Sequence, residues 1–499
     1  MEGEDMKLCP KSPISVLYLV SYTLFFVFLV FISRLSYGQW AATYGGGSDD
    51  WAYSIQQTRD GGYIVAGETK SFGAGLEDVW VLKLNPDGGI AWQKSFGGVS
   101  TDRASTIQQT IDGGYIVAGG TASYGAGNFD IWILKLSPDG NVMVQNTYGG
   151  DNYEDVRSIQ LTSDGGYIVA GGTQSGEGDF WILKLNPDGS IAWQKTYGSP
   201  DVAEALRSIQ QTSDGGYIVS GSTGDYSSGE SDLWVLKLNP DGSVQWQKSY
   251  GVIGEEALSG DDALAIQQTR DGGYIVAGET GCGKSFGVEK VDAFVLKLNS
   301  DGSVAWLKRY GGAKRDSILS IQQTKDNGYI AAGSTASFGA GAEDLWVLKL
   351  NPDGSVAWQK TYGGEGQEGA YAIQQTTDGG YIVAGRTKSF GAAGFDFWVL
   401  KLKPDGTIAR SCNFIRDTNV SGIKSNTVVQ DTSTNMGDTN ITPQGSSATV
   451  QVTKVSPNFI CGEKMSPLKQ FLKRYWHGAK SLPKQTYETL DDFMNMIFG

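Results

Sequence analysis

Two acidic positions recur along this 499-residue chain, and they are the first place to look for chemistry. One set is Asp50, Asp102, Glu154, Glu204, Asp261, Asp316 and Glu368; the other is Asp78, Asp130, Asp179, Asp232, Asp292, Asp344 and Asp396. Carboxylates in such a pattern can cap loop amides, hold a hard cation such as Ca²⁺, or form a glycosidase-type acid/base pair. Strict recurrence is what a capping role demands, whereas an acid/base pair needs two carboxylates in unlike surroundings. Asp50, Asp78, Asp102, Asp130, Glu154 and Asp179 stand as weak Ca²⁺ candidates, and no other cofactor is expected. The single histidine, His477, lies near the C-terminus. The body of the chain therefore has no Ser-His-Asp or Cys-His arrangement and no histidine metal ligand. There is no P-loop and no zinc-type cysteine cluster, and the GxG strings sit in turns. No catalytic constellation is recognised.

The elements that must position these acids are written seven times, most legibly as SIQQTRDGGYIVAGETKSFGAGLEDVWVLKLNPDGGIAWQKSFGG over residues 54–98. Tyr63, Tyr115, Tyr167, Tyr217, Tyr274, Tyr329 and Tyr381 mark the repeats. A period of this size, filled with short β-patterned runs, predicts propeller blades. Each repeat reads as four strands separated by Asp-Gly-Gly and Pro-Asp-Gly turns, an antiparallel meander. Glycine supplies the positive φ and proline presets the corner. Seven such units close a ring and remove the long sheet edges.

Closure is visible in the sequence. The seventh repeat ends in TIARSCNF, where Arg410 occupies the tryptophan position and no YGG follows. The missing strand stands at the start as QWAATYGG, residues 39–46, so the N-terminal strand is expected to complete the last blade. With WAATYGGGSDDWAYSIQQTRDGGYIVAGET in view, the chain resembles the seven-bladed β-propeller repeat of secreted and cell-envelope proteins of bacteria and archaea. The resemblance covers roughly residues 39–410. It implies a fold and an extracytoplasmic address, and no particular activity.

Composition fits that address. The formal charge is −14 and the body between the termini is more acidic still, which excludes nucleic acid as a partner. Residues 14–32 are apolar, preceded by Lys7 and Lys11 and followed by the small-x-small site Ser36-Tyr37-Gly38. Residues 1–38 read as an export signal, or as an uncleaved membrane anchor, since the run is long enough to span a bilayer. Cys412 and Cys461 bracket residues 411–461, a Thr- and Asn-rich segment in which Asp-Thr recurs at 417, 431 and 438; it reads as a few irregular strands or a stalk. In an oxidising compartment the two cysteines are expected to pair, leaving Cys282 free. Residues 462–499 form a tail of short helical pattern, basic between 466 and 484, which packs on the body or touches a membrane or partner.

Tryptophans recur in strands three and four and read as inter-blade packing. The lysine of each LKL run reads as a strand-end ion-pair partner. Function is expected where repeats differ. The loop between strands two and three carries an aromatic beside glycine, giving Phe72, Tyr124, Tyr226, Phe286, Phe338 and Phe390 as ligand-face candidates. The leading expectation is a non-enzymatic module, secreted or envelope-anchored, that binds a protein or glycan through its loop face. An extracellular carboxylate-dependent hydrolase or lyase and a purely structural surface component remain the alternatives.

Overall fold

The computed structural model describes residues 38–462 apart from 174–178, 199–202, 226–229, 254–260, 282–290 and short stretches between 410 and 457. Gln39–Glu463 form one compact unit. Within it, seven antiparallel meanders repeat, and they are numbered here as blades 1 to 7. Their first strands are Asp50–Gln57, Asp102–Gln109, Glu154–Leu161, Ala203–Gln211, Asp261–Gln268, Asp316–Gln323 and Glu368–Gln375. Each first strand neighbours the first strands of the two adjacent blades, so the seven ring a central axis. This is the seven-bladed propeller that the period predicts.

The repeated SIQQT motif explains how neighbouring blades are joined. Gln56 Oε1 accepts the backbone N–H of Gln109 in the next blade at 2.6 Å. The same bond runs from Gln108, Gln160, Gln210, Gln267, Gln322 and Gln374 to the following blade, at 2.5–2.9 Å, and closes on Gln57. A half-buried amide acceptor thus satisfies a strand donor that faces no ladder partner. Each LKL lysine reaches the aspartate of its own Asp-Gly turn at 2.8–3.1 Å, in all seven blades. The turn itself needs a left-handed residue: Gly61 has φ +82°, and Asn327, with φ 64°, takes that place in blade 6. The strand-three tryptophans Trp80, Trp132, Trp181, Trp234, Trp346 and Trp398 are buried between blades, as is Phe294, which takes that position in blade 5.

Trp40–Tyr44 completes blade 7, pairing antiparallel with Asp396–Leu402 as expected. The Thr- and Asn-rich segment does something the sequence reading did not anticipate. It forms short strands, as one of the two expectations had it, and not a stalk. It runs backwards round the propeller and adds one outer strand to every blade. Ile415–Asp417 pairs with blade 6, Ile423–Lys424 with blade 5, Asn426–Asp431 with blade 4 and Asn435–Asp438 with blade 3. Gln444–Gly445 then pairs with blade 2, Thr449–Val452 with blade 1 and Asn458–Gly462 with Trp40–Tyr44 of blade 7. All seven fourth-strand edges are thereby paired, over two to six residues each, so the outer edge of every blade is a short belt strand. Cys412 and Cys461 form a disulfide with Cα atoms 5.6 Å apart, closing this belt into a covalent hoop. Among the described residues no helix is long and apolar enough to cross a membrane. Residues 1–37, the basic tail and Cys282 lie outside the described residues.

Candidate functional site

In each blade the residue that follows the first-strand acid is paired with the sixth residue of the second strand. The seven pairs are Trp51–Glu68, Arg103–Gly120, Asp155–Gly172, Ala205–Ser222, Asp262–Glu279, Ser317–Ser334 and Gly369–Arg386. No two are alike, although the strands around them are near-copies. Two residues further on, every first strand carries a β-bulge, whose extra residue is Tyr53, Ser105, Arg157, Arg207, Leu264, Leu319 or Tyr371. A bulge frees a side chain from the ladder and re-aims it. The two positions together make one ring of variable side chains at the mouth of the axial channel, at the end where the loops between strands two and three emerge.

That ring is lopsided. In blades 7 and 1 the Arg386 guanidinium lies 4.2 Å from the Trp51 ring centroid, 4.6 Å from Phe395 and 5.8 Å from Tyr371. Arg386 stands in register with Gly369 of the first strand. Tyr53 and Tyr371 meet edge to face at 5.0 Å. In blades 2 and 3, Arg103 lies 4.9 Å from the Phe129 centroid, donates to the Tyr153 hydroxyl at 2.9 Å and sits 3.6 Å from Asp155. Phe129 and Tyr153 stack at 5.1 Å. On the other side the ring holds closed ion pairs: Arg207 with Asp262 at 2.7 Å and Arg315 with Glu279 at 2.8 Å. Aromatic faces therefore gather in blades 7, 1, 2 and 3, while ion pairs hold the ring both there, where Arg103 and Arg157 flank Asp155, and in blades 4, 5 and 6.

Electrostatics follow from that crowding. Burial, with Glu77 nearby, raises the Glu68 carboxyl, although Tyr53 hydrogen-bonds it. Burial also pushes the Tyr371 hydroxyl up to about 12. For Arg103 burial works against the charge, but Asp155, Tyr153 and Glu68 outweigh it and the guanidinium is held more firmly protonated. The Trp51 indole N–H is buried without a hydrogen-bond partner among the described residues. A cation over aromatic faces in a partly dry site is a stiff recognition surface.

The recurring acids take other work. Asp50 accepts from the Thr69 hydroxyl, from Ser71 Oγ at 2.8 Å and from Gly46 N–H at 2.9 Å. Asp102 repeats the pattern with Thr121, Ser123 and Gly98, and Glu154 accepts from Gly150 N–H at 2.9 Å. Asp78 and Asp130 accept the N–H groups of Gly75 and Gly127, both at 3.1 Å. At six of the seven junctions one acid of each set meets across a glycine: a Cβ on Gly97 would lie 1.8 Å from Asp78 Oδ1 and 2.9 Å from Asp102 Oδ2. Asp179 meets Glu204 in the same way across Gly198. The acids thus come together in twos, and among the described residues no group of three could hold a metal ion.

The loop aromatics are not brought together. Phe72, Tyr124, Phe338 and Phe390 each sit half-buried over the strand-three tryptophan of their own blade, with centroids 5.3–6.1 Å apart. Tyr226 and Phe286 lie outside the described residues. What sequence reasoning missed is the channel mouth. Its signal was present inside the most regular motif: GYIVAGxT carries Glu, Gly, Gly, Ser, Glu, Ser and Arg at x over the seven repeats, with YIAAGST in the sixth and YIVSGST in the fourth.

Residues 162–191 and 212–244 match the family model described as a domain of unknown function (DUF5122) beta-propeller. A search of curated proteins finds no match. Among solved structures, Sqt1 from Chaetomium thermophilum is 9% identical, with TM-score 0.40 over 73% of this chain and 98% of that one. A europium-containing methanol dehydrogenase is likewise 9% identical, with TM-score 0.40 over 74% and 94%. Endo-1,5-alpha-L-arabinanase from Thermotoga petrophila RKU-1 is 14% identical, with TM-score 0.27 over 72% and 100%. Likeness at this level says nothing of activity. The matched family model and the seven repeated blades together make this chain a β-propeller repeat protein.

Proposed function

We propose that the propeller is a non-enzymatic recognition module that binds a glycan or a polypeptide segment at the channel mouth of blades 7, 1, 2 and 3. One observation carries this reading: the register level at which all seven pairs differ holds Trp51, Arg386, Arg103 and Asp155, and the bulge residues Tyr53 and Tyr371 and the loop residue Phe395 gather beside them. Aromatic faces beside fixed polar groups suit a ligand with apolar faces and hydrogen-bonding edges. The protein acts outside the cytoplasm, secreted or anchored by its N-terminal segment; the Cys412–Cys461 disulfide and the apolar run of residues 14–32 support that address. Any Ca²⁺ at the paired acids is weakly held, and residues 466–484 serve at most as a peripheral membrane contact. The rival reading, an extracellular hydrolase or lyase, needs a unique, non-recurring pair of carboxylates; of the non-recurring acids at the mouth, Asp155, Asp262 and Glu279 are each tied to an arginine.

A glycan array and a protein pull-down with the full chain test this. Binding is expected to fall by about tenfold or more in Trp51→Ala and Tyr371→Ala, the loss of one buried aromatic anchor. Unchanged binding in both variants would sink the assignment of the mouth. Cleavage of a bound polysaccharide would instead establish the enzyme.

A further inference from the structure

Every described arginine but one is held by a carboxylate, a carbonyl or a hydroxyl. The exception is Arg386, half-buried at the mouth of blade 7, which has neither hydrogen bond nor ion pair among the described residues. Its neighbours are rings, with Trp51, Phe395 and Tyr371 centroids at 4.2, 4.6 and 5.8 Å. Ring faces answer the charge but give the N–H donors of the guanidinium no acceptor atom. Lys388, two residues on and exposed, carries its ammonium 5.5 Å from the same Phe395 ring, also without an ion pair among the described residues. The acids around this corner are engaged: Glu68 accepts from Tyr53, Glu343 from Ser334 Oγ at 2.5 Å and Asp49 from the Phe395 N–H at 3.0 Å. In a chain of formal charge −14, blade 7 thus presents a bare cationic spot at the mouth.

Given the recognition role of the mouth, on which this assignment rests, we propose that Arg386 takes the carboxylate of a uronic-acid residue in an acidic glycan. Lys388 adds a second positive charge, and the sugar ring lies against Tyr371. A planar guanidinium whose N–H groups lack acceptors matches a carboxylate bidentately. The rings beside it keep water from one side of the pair, which strengthens the attraction. A hexuronate carries its carboxylate one bond from a pyranose ring whose C–H face suits an aromatic face, and Tyr371 stands close to the guanidinium in that way. The Tyr371 hydroxyl, which makes no hydrogen bond among the described residues, is left for a sugar hydroxyl. An acidic peptide side chain brings its carboxylate on a flexible methylene stem, with no such ring beside it. The other arginines of the mouth are closed on Asp155, Asp262 and Glu279, so the site suits one carboxylate among neutral sugars and not a polyanion.

Ligand-observed NMR on the full chain tests this with disaccharides ending in glucuronate, galacturonate or mannuronate, each beside its carboxyl-reduced counterpart. A short alanine-flanked glutamate peptide supplies the polypeptide arm. Saturable binding is expected for at least one uronate, about tenfold or more tighter than for its reduced form. Arg386→Gln is expected to erase that preference, and Arg386→Lys, which keeps the charge and loses the fork, to restore only part of it. A reduced sugar bound as tightly as its uronate overturns the carboxylate assignment and leaves the recognition role of the mouth intact. Binding that is indifferent to Trp51→Ala and Tyr371→Ala removes the mouth itself. Absence of binding by every uronate overturns the proposal, as does a folded Arg386→Gln protein that keeps the preference. Should Arg386→Gln not fold, the comparison of acid and reduced sugar on the wild type decides. Tighter binding of the glutamate peptide than of every uronate would overturn the glycan as the source of the carboxylate.

Discussion

Burial and mutual repulsion at the blade junctions leave some carboxyl groups reluctant to ionise. Burial, with Asp50 opposite, pushes Asp396 up to about 7; burial, with Asp102 opposite, pushes Asp78 up to about 6. In the unfolded chain both would titrate near the ordinary value of about 4. They bind protons more tightly when folded, so the stability they contribute is complete below about pH 4 and is lost as pH rises through about 6 and 7. Asp164, Asp214 and Asp326 behave oppositely: although burial opposes it, the threonine hydroxyl and the LKL lysine bring them down to about 2. Their stability is present above about pH 4 and disappears as pH falls toward 2. Thermal denaturation is therefore expected to show a maximum near pH 4 to 5 and a melting temperature several degrees lower at pH 8. Asp396→Asn should flatten the upper slope; a wild-type melting temperature equal at pH 5 and pH 8 would contradict the assignment. The acids were legible in the sequence as positions. Their pairing was not, because Asp396 meets Asp50 only across the closure of the ring, at Gly45.

The belt shows why some elements escape a sequence reading. Its strands are two to six residues long, too short for any alternation to register. Only two marks were visible, the bracketing cysteines and the recurring Asp-Thr. The second now has a physical meaning. Asp417, Asp431 and Asp438 end their strands, and each stands in register with a fourth-strand lysine, Lys360, Lys248 and Lys195 respectively. Lys360 and Asp417 form an ion pair. That opposite-charge cross-strand pair helps to fix the register of the three-residue strand Ile415–Asp417. The disulfide then ties the ends of this path, 49 residues apart in sequence. Chain entropy assigns about 4 kcal/mol to a loop of that length. Cys412→Ser, or reduction of the wild type, is expected to lower the melting temperature and to make residues 413–460 the first sites of proteolysis. An unchanged melting temperature and cleavage pattern would show that the outer strands hold without covalent closure.

At the scale of the whole molecule the two ends of the described chain meet in one blade. Trp40–Tyr44 lies between Asp396–Leu402 and Asn458–Gly462, so it is an interior strand of its sheet and not an edge. It also sets the Trp40 indole edge to face against Tyr63 and buries Trp40, Ala41, Ala42 and Tyr44 completely or nearly so. The N-terminal closure could be read from the missing WxxxYGG of repeat seven, since a strand absent at one end and present at the other has one place to go. Its second partner could not, because nothing in the belt resembles a blade strand. Deleting residues 39–46 would strip both neighbours of their ladder and open the junction between blades 7 and 1. In a repeat protein each unit is stabilised by its neighbours, so an opened ring has two exposed ends from which unfolding can spread. The full chain is expected to unfold in one transition, and the deletion to unfold at much lower denaturant with a broadened or stepped profile. Guanidinium titration monitored by tryptophan fluorescence makes the comparison. Coincident curves for the two proteins would mean that the hoop of outer strands alone keeps the ring shut.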